Sequence, residues 1–275
     1  MLERIGADAL PELKQYLRSH YHENILLLND LAEADDPPDP RRDALSLVGY
    51  RHEGELIAVQ GFYQYGRWFP HFIDDIAIGP MLDNMLKHRV RWVMGVRRVV
   101  DPFLKRLGDL GFQIGYDEKD YLCYVERQTF HPYGMEGIRR ATCEDMPSIA
   151  TLRREFESDY FGTPRERVDH AWCLWIAKRY IGRGAFVAER DGHLVSMVAV
   201  EAVIPELSQI AAVYTTKGYR GRGLAKGVVS AICEDQLLSR PRVTLTVKTD
   251  NAPALCVYRA LGFRRWTDYR MSRFA

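Results

Sequence analysis

Two tripeptides, Leu110-Gly111-Phe112 and Leu261-Gly262-Phe263, each stand a comparable distance behind a glycine-centred turn, at Gly54 and at Gly192. From turn glycine to Gly-Phe the separations are 57 and 70 residues. Around each pair the periodicities follow one order: helix, a hairpin across the glycine, a further strand, a helix, then closing strands. A chain that repeats such a programme is expected to fold as two similar α/β modules, not as one larger unit.

The first copy is predicted to hold helix over 7–31, a proline-broken loop at 34–40, strands at 44–50, 55–63 and 72–78, a helix over 81–88 and a strand over 91–95. A proline-containing segment follows to Leu110, then a strand pair near Phe112 and over 121–126. Residues 128–134, with Pro132 and Gly134, read as a linker, which sets the expected domains at 1–130 and 135–275. The second copy is predicted to run strand 138–141, helices 145–159 and 165–181, a hairpin across Asp191-Gly192, strand 209–215 and helix to Leu238. Strand 242–247, helix 252–261 and a closing strand pair complete it. An aromatic run, 62–72, reads either as core strands or as the wall of an acceptor pocket, with Asp74 and Asp75 beside it.

Composition removes several function classes. A formal charge of +1 gives no global attraction for nucleic acid or anionic membrane. Five cysteines lie scattered without a CxxC pair or a histidine cluster at zinc spacing, so no metal site and no disulfide framework is expected, and free thiols fit the cytoplasm. No segment approaches the roughly 18 apolar residues of a membrane span.

The second copy is longer where it carries YRGRGLAK, residues 219–226, between a predicted strand and a predicted helix. It lacks the GxxxxGK[ST] of a phosphate-binding NTPase loop. Lys226 stands where a dinucleotide fingerprint needs a small residue, although Asp250 could imitate its ribose-binding acid. A basic nucleic-acid patch would recur in a flexible segment, and this one occurs once. At a helix start, Gly221 and Gly223 would let phosphate approach the backbone N–H groups while Arg220 and Arg222 supply charge. A solvated glycine turn is the plain alternative.

A second motif follows in 251–263, of the form N-x-x-A-x-x-x-Y-x-x-x-G-F, carried by Asn251, Ala254, Tyr258, Gly262 and Phe263. Together with Arg220-Gly221-Arg222-Gly223-Leu224-Ala225 it resembles the GNAT superfamily of acyl-CoA-dependent N-acetyltransferases, well over 135–275 and only in outline before that. The resemblance implies a mixed-sheet α/β fold, in tandem, with a degenerate N-terminal copy that has lost its coenzyme loop. It implies acetyl-CoA as co-substrate, bound by main-chain groups of Val213, Tyr214 and Thr215, by Arg220 and Arg222, by the N–H groups of Gly221 through Lys226, and beside Asn251 and Ala254. Tyr258 takes the position of the general acid toward the thiolate.

The strand before the loop lacks the glutamate many relatives use as base. Glu206 is the tentative candidate, with Glu201 second and Asp159, Tyr160 and His170 behind. The expected activity is acetyl transfer to a primary amine of a small molecule or peptide, without metal, nucleic acid or membrane, in a chain that could form a homodimer. A non-catalytic acyl-CoA-binding regulatory module is the alternative.

Overall fold

The structure, a computed structural model, describes residues 1–32, 45–63 and 65–275. The expected loop at 34–40, the start of the strand at Ala44, and Gln64 of the aromatic run lie outside the described residues. The chain divides into two compact units, Met1–Leu122 with Trp266–Ala275, and Cys123–Arg265.

The first unit contains β1 (Leu2–Arg4), α1 (Leu10–Ser19), α2 (Ile25–Ala32), β2 (Ser46–His52), β3 (Glu55–Phe62), β4 (Arg67–Phe72), α3 (Ile78–Met85), β5 (Trp92–Val96), α4 (Arg97–Asp109) and most of β6 (Ile114–Glu126). The second holds the end of β6, then β7 (Ile138–Arg140), α5 (Met146–Phe161), α6 (His170–Arg183), β8 (Phe186–Arg190), β9 (His193–Ile204), β10 (Leu207–Thr215), α7 (Leu224–Leu237), β11 (Arg242–Lys248) and α8 (Ala252–Ala260). The last strand, β12 (Arg264–Phe274), leaves the second unit at Trp266.

The observed boundary therefore differs from a cut at 128–134. Those residues are held inside the second unit: His131 N–H donates to the Leu261 carbonyl at 3.1 Å and Tyr133 N–H to Ser230 Oγ at 2.7 Å. The closing strands were expected as pairs, and each is one long strand. In the first unit β12 pairs antiparallel with β5, Tyr269 opposite Val96, so a strand remote in sequence completes that sheet. No local pattern encodes such a partner.

Two further readings change. The strand expected over 72–78 is β4 at Arg67–Phe72, because Asp74 accepts from the Ile76 N–H at 2.9 Å and starts a helical turn there. The proline-containing segment is helix α4 despite Pro102, since Val99, Val100, Phe103, Leu104 and Leu107 are all buried on one face. Their packing outweighs the ~3 kcal/mol an interior proline costs. The aromatic run takes its core reading: Trp68 is fully buried, edge-on to Phe103 at 4.8 Å between centroids, and Phe72 meets the same ring at 5.8 Å.

In the second unit the sheet order from the end of β6 is β11, β10, β9, β8, β7. Asp191 and Gly192, at φ 53° and 74°, make the tight turn joining β8 and β9. A capping box between Thr142 and Asp145 starts the segment leading into α5, and Gly162 ends that helix at φ 67°. The α5 and α6 helices cover one face through Ile149, Leu152, Cys173 and Tyr180, packed with Met197, Ala199, Ala212 and Tyr214. Val198 and Val200 alternate to the other face, where α7 packs.

Candidate active site

The site begins where the sheet stops being a sheet. β10 and β11 run parallel and pair at Leu207–Arg242, Ser208–Val243 and Gln209–Thr244, and pairing then ends although both strands continue. On the other edge of β10 the register with β9 shifts between Ala211 and Tyr214, and Ala212 sits in the left-handed region at φ 54°. A non-glycine residue held there marks a β-bulge, which bends the strand away from its neighbour. The result is a wedge lined by unpaired main chain. Nothing in the sequence around Ala212 announces it.

Beyond the open end lies the glycine loop. Helix α7 starts at Leu224, three residues later than a helix beginning at Gly221, with Gly223 as N-cap at φ 78°. Its first helical bond runs from the Gly227 N–H to the Gly223 carbonyl at 3.0 Å, and among the described residues no side chain caps the N–H groups of the first turn. Leu224, Ala225 and Lys226 thus present donors at the positive end of the helix dipole. A Cβ on Gly223 would fall 2.9 Å from Met135 Cε and 3.0 Å from Tyr133 Oη, whereas Gly221, also at positive φ, faces open space. Tyr133 and Met135 therefore form one wall of the cradle, a role hidden in a stretch that reads as linker.

The loop's cations divide into two pairs. Lys217 Nζ and an Arg220 guanidinium nitrogen each lie 2.9 Å from Asp159 of α5, and the Tyr214 hydroxyl donates to the same carboxylate at 3.1 Å. Burial opposes ionisation of Asp159, but bonds from Lys217 and Tyr214, the Lys217 charge and the bond from Arg220 outweigh it and hold the carboxyl below the usual range. Burial first, then the Glu155 charge and the bond to Asp159, push the Tyr214 phenol up. Arg222 lies over the Tyr219 ring at 5.2 Å and Lys226 over Tyr133 at 4.3 Å, and these two are the loop cations left for an anion.

Of the main-chain groups expected along β10, two carbonyls are already engaged. The Tyr214 carbonyl accepts from Ser196 Oγ at 2.9 Å, and that of Thr215 accepts from Arg220 Nε at 2.9 Å. Val213, inside the bulge, has no partner in the β9 register. Asn251 caps α8, its side-chain oxygen accepting from the Ala254 N–H at 3.2 Å, so its amide nitrogen is the part left for a ligand. Tyr258 is buried on α8 beside Phe263, ring centroids 5.7 Å apart. Among the described residues its hydroxyl has no hydrogen-bond partner. Burial pushes its phenol up, with Cys123 and Cys233 adding in the same direction, so it is a proton donor at neutral pH.

Glu206 precedes β10, at the end where β10 and β11 are still paired, and the nine residues of β10, roughly 30 Å at ~3.3 Å per residue, lie between it and the loop. Among the described residues its buried Oε2 has no hydrogen-bond partner. Glu201 lies in β9 with its carbonyl bonded by Arg183, and His170 is exposed at the start of α6. Two carboxylates near the open end are on α5: Asp159, and Glu155, which accepts from Thr216 Oγ1 at 3.3 Å and lies 3.6 Å from Arg165; Asp250 follows β11 at the same end.

The first unit has the same parallel pair without the loop. β4 and β5 pair only at Arg67–Trp92 and Trp68–Val93. Between Phe72 and α3 stand Ile73, Asp74, Asp75, Ile76 and Ala77, with carboxylates where the second unit has glycines and cations. A like charge at that helix start disfavours phosphate. Among the described residues no group of His, Cys, Asp or Glu could hold a metal ion, and no helix is long and apolar enough to cross a membrane.

Comparison with known proteins matches this geometry. The model of the acetyltransferase (GNAT) family matches residues 146–263, which span α5 through the residue before β12. The L-amino acid N-acetyltransferase AaaT of Escherichia coli K12 is 31% identical over 133 residues, covering 46% of this chain and 81% of that protein. Among solved structures, a tandem GNAT protein from the clavulanic acid biosynthesis pathway superposes with TM-score 0.65 at 15% identity, over 99% of this chain and 98% of that one. A GNAT-family acetyltransferase from Colwellia psychrerythraea superposes over 100% of both chains with TM-score 0.60 at 14% identity. The two units are two GNAT-like folds in tandem, and the chain belongs to the acetyltransferase (GNAT) family.

Proposed function

We propose that the second unit transfers an acetyl group from acetyl-CoA to the primary amine of a small acceptor. The observation that carries this reading is the wedge between β10 and β11, open beyond Gln209 and Thr244, with the uncapped start of α7 at its open end. That arrangement suits a ligand with an extended amide-bearing arm and a diphosphate. Gly223 supports the fit, because any side chain there would fill the cradle against Met135 and Tyr133.

When bound, acetyl-CoA supplies a thioester carbonyl open to attack by a neutral amine. The N–H groups of Leu224, Ala225 and Lys226, with Arg222, hold the diphosphate, and Val213 bonds the pantetheine arm. Asn251 and Ala254 line the arm. Tyr258 keeps its proton and donates it, or a hydrogen bond, to the leaving sulfur. Glu155 replaces Glu206 as proton acceptor, since its neighbour Asp159 is occupied by three donors. Positioning supplies much of the remaining acceleration.

The Escherichia coli relative is named for L-amino acids, so α-amino acids head the acceptor panel. Purified protein incubated with acetyl-CoA and this panel, alongside polyamines and short peptides, is expected to release free thiol with at least one acceptor. Coenzyme binding without release on any amine would return the non-catalytic reading.

A further inference from the structure

Beyond Gln209 and Thr244 the two central strands of the second unit no longer pair, yet both are tied to one helical turn. From β10, the Tyr214 hydroxyl reaches Asp159, and from the glycine loop Lys217 and Arg220 reach the same carboxylate. From β11, Lys248 Nζ donates to the Tyr160 carbonyl at 3.2 Å and lies 4.0 Å from the centroid of the Tyr160 ring. Asp159 and Tyr160 are consecutive, in the last turn of α5. A carbonyl there has no partner within the helix and sits at the negative end of the helix dipole, which suits an ammonium group.

Resting on the acyl-CoA reading, we infer that this last turn of α5 is a brace across the wedge, with Asp159 and Lys248 as positioning residues for the coenzyme. Neighbouring strands settle ~4.8 Å apart when paired, and a slot for a third chain needs about twice that spacing. Main chain left unpaired would close the slot or fluctuate. Two side-chain ties to one rigid helix keep β10 and β11 apart and fix residues 217–220 before any ligand arrives. The ordering cost is then met in folding and does not weaken binding. Because α5 also carries Glu155, the brace ties the coenzyme loop to the element that faces the amine.

The test uses the full chain with Asp159→Asn, Lys248→Met, the double variant and Lys248→Arg. Without ligand, amide exchange over 210–223 is expected to accelerate in Asp159→Asn, Lys248→Met and the double variant. The KM for acetyl-CoA is expected to rise about tenfold in each, with kcat at saturating coenzyme within about twofold of the parent. Lys248→Arg keeps a cation at the Tyr160 carbonyl and is expected to restore both. Unchanged exchange together with unchanged KM overturns the brace, and so does a fall in kcat at constant KM. Failure of the unsubstituted protein to bind acetyl-CoA removes the coenzyme reading instead, and the exchange measurement still decides whether the brace exists.

Discussion

Gln209 and Thr244 are the last parallel partners of β10 and β11, and everything assigned to the coenzyme lies on the open side of that pair. β10 turns aside from there on: its register with β9 shifts between Gln209 and Ile210 and again across the bulge at Ala212. The loop that follows supplies donors where the sheet has none. Its chemistry separates charge from backbone geometry by substitution.

Gly221 and Gly223 both adopt positive φ, but only Gly221 has open space around its missing side chain. Asn and Asp tolerate that conformation better than other residues, so Gly221→Asn and Gly221→Asp carry similar strain and differ by one charge. Gly221→Asp is expected to weaken acetyl-CoA binding at least tenfold relative to Gly221→Asn, with matching melting temperatures. Equal affinities by calorimetry would remove phosphate from this loop.

Tyr258→Phe keeps the ring against Phe263 and removes only the hydroxyl. The kcat is expected to fall about 100-fold, the lower range for loss of a proton donor, with coenzyme affinity unchanged. Glu155→Gln is expected to lower kcat likewise while leaving the KM for acetyl-CoA in place. A rise in that KM alone, measured by steady-state kinetics, would assign Glu155 to the loop and not to the amine.

In the first unit, His71 lies between the Tyr16 hydroxyl at 2.8 Å and Glu23 at 2.9 Å, with Arg98 bonded to Glu23 as well. Burial opposes ionisation of Glu23, but His71 and Arg98 overcome it and bring the carboxyl from 4.5 down to about 2. Burial lowers the His71 imidazole below its usual 6.5. Both folded values are depressed, so the unfolded chain takes up each proton first on acidification. The stabilisation is complete above pH ~6.5, starts to fall as His71 titrates, and then falls again from pH ~4.5 as Glu23 does. Glu23 contributes on the order of 3 kcal/mol. Urea unfolding of Glu23→Gln is expected to be less pH-dependent than the parent between pH 5 and 3.

The two Leu-Gly-Phe copies respond differently to alanine. A Cβ on Gly262 would stand 1.8 Å from the Thr129 carbonyl oxygen at φ 92°, whereas Gly111 adopts φ 87° with nothing within 4 Å. Gly262→Ala is expected to cost more than ~4 kcal/mol or to prevent folding, a clash the backbone cannot relieve. Gly111→Ala is expected to cost about 1 kcal/mol, the strain of the left-handed conformation. Thermal melts of the two variants settle the contrast.

Local patterns determined much of this protein. The glycine hairpins, the helix before each one, YRGRGLAK and the Asn251–Phe263 motif are each carried by residues close in sequence, where periodicity and turn chemistry act directly. These were sufficient for the tandem fold and the family. Other features depend on partners far along the chain and leave no local trace: β12 completing the first unit's sheet, the bulge at Ala212, and the meeting of Asp159 with Lys217, Arg220 and Tyr214. Glu206 shows the difference most plainly. Its residue type and sequence neighbourhood suit a base, and only the direction of β10 decides that it stands at the paired end of the wedge, a strand's length from the loop.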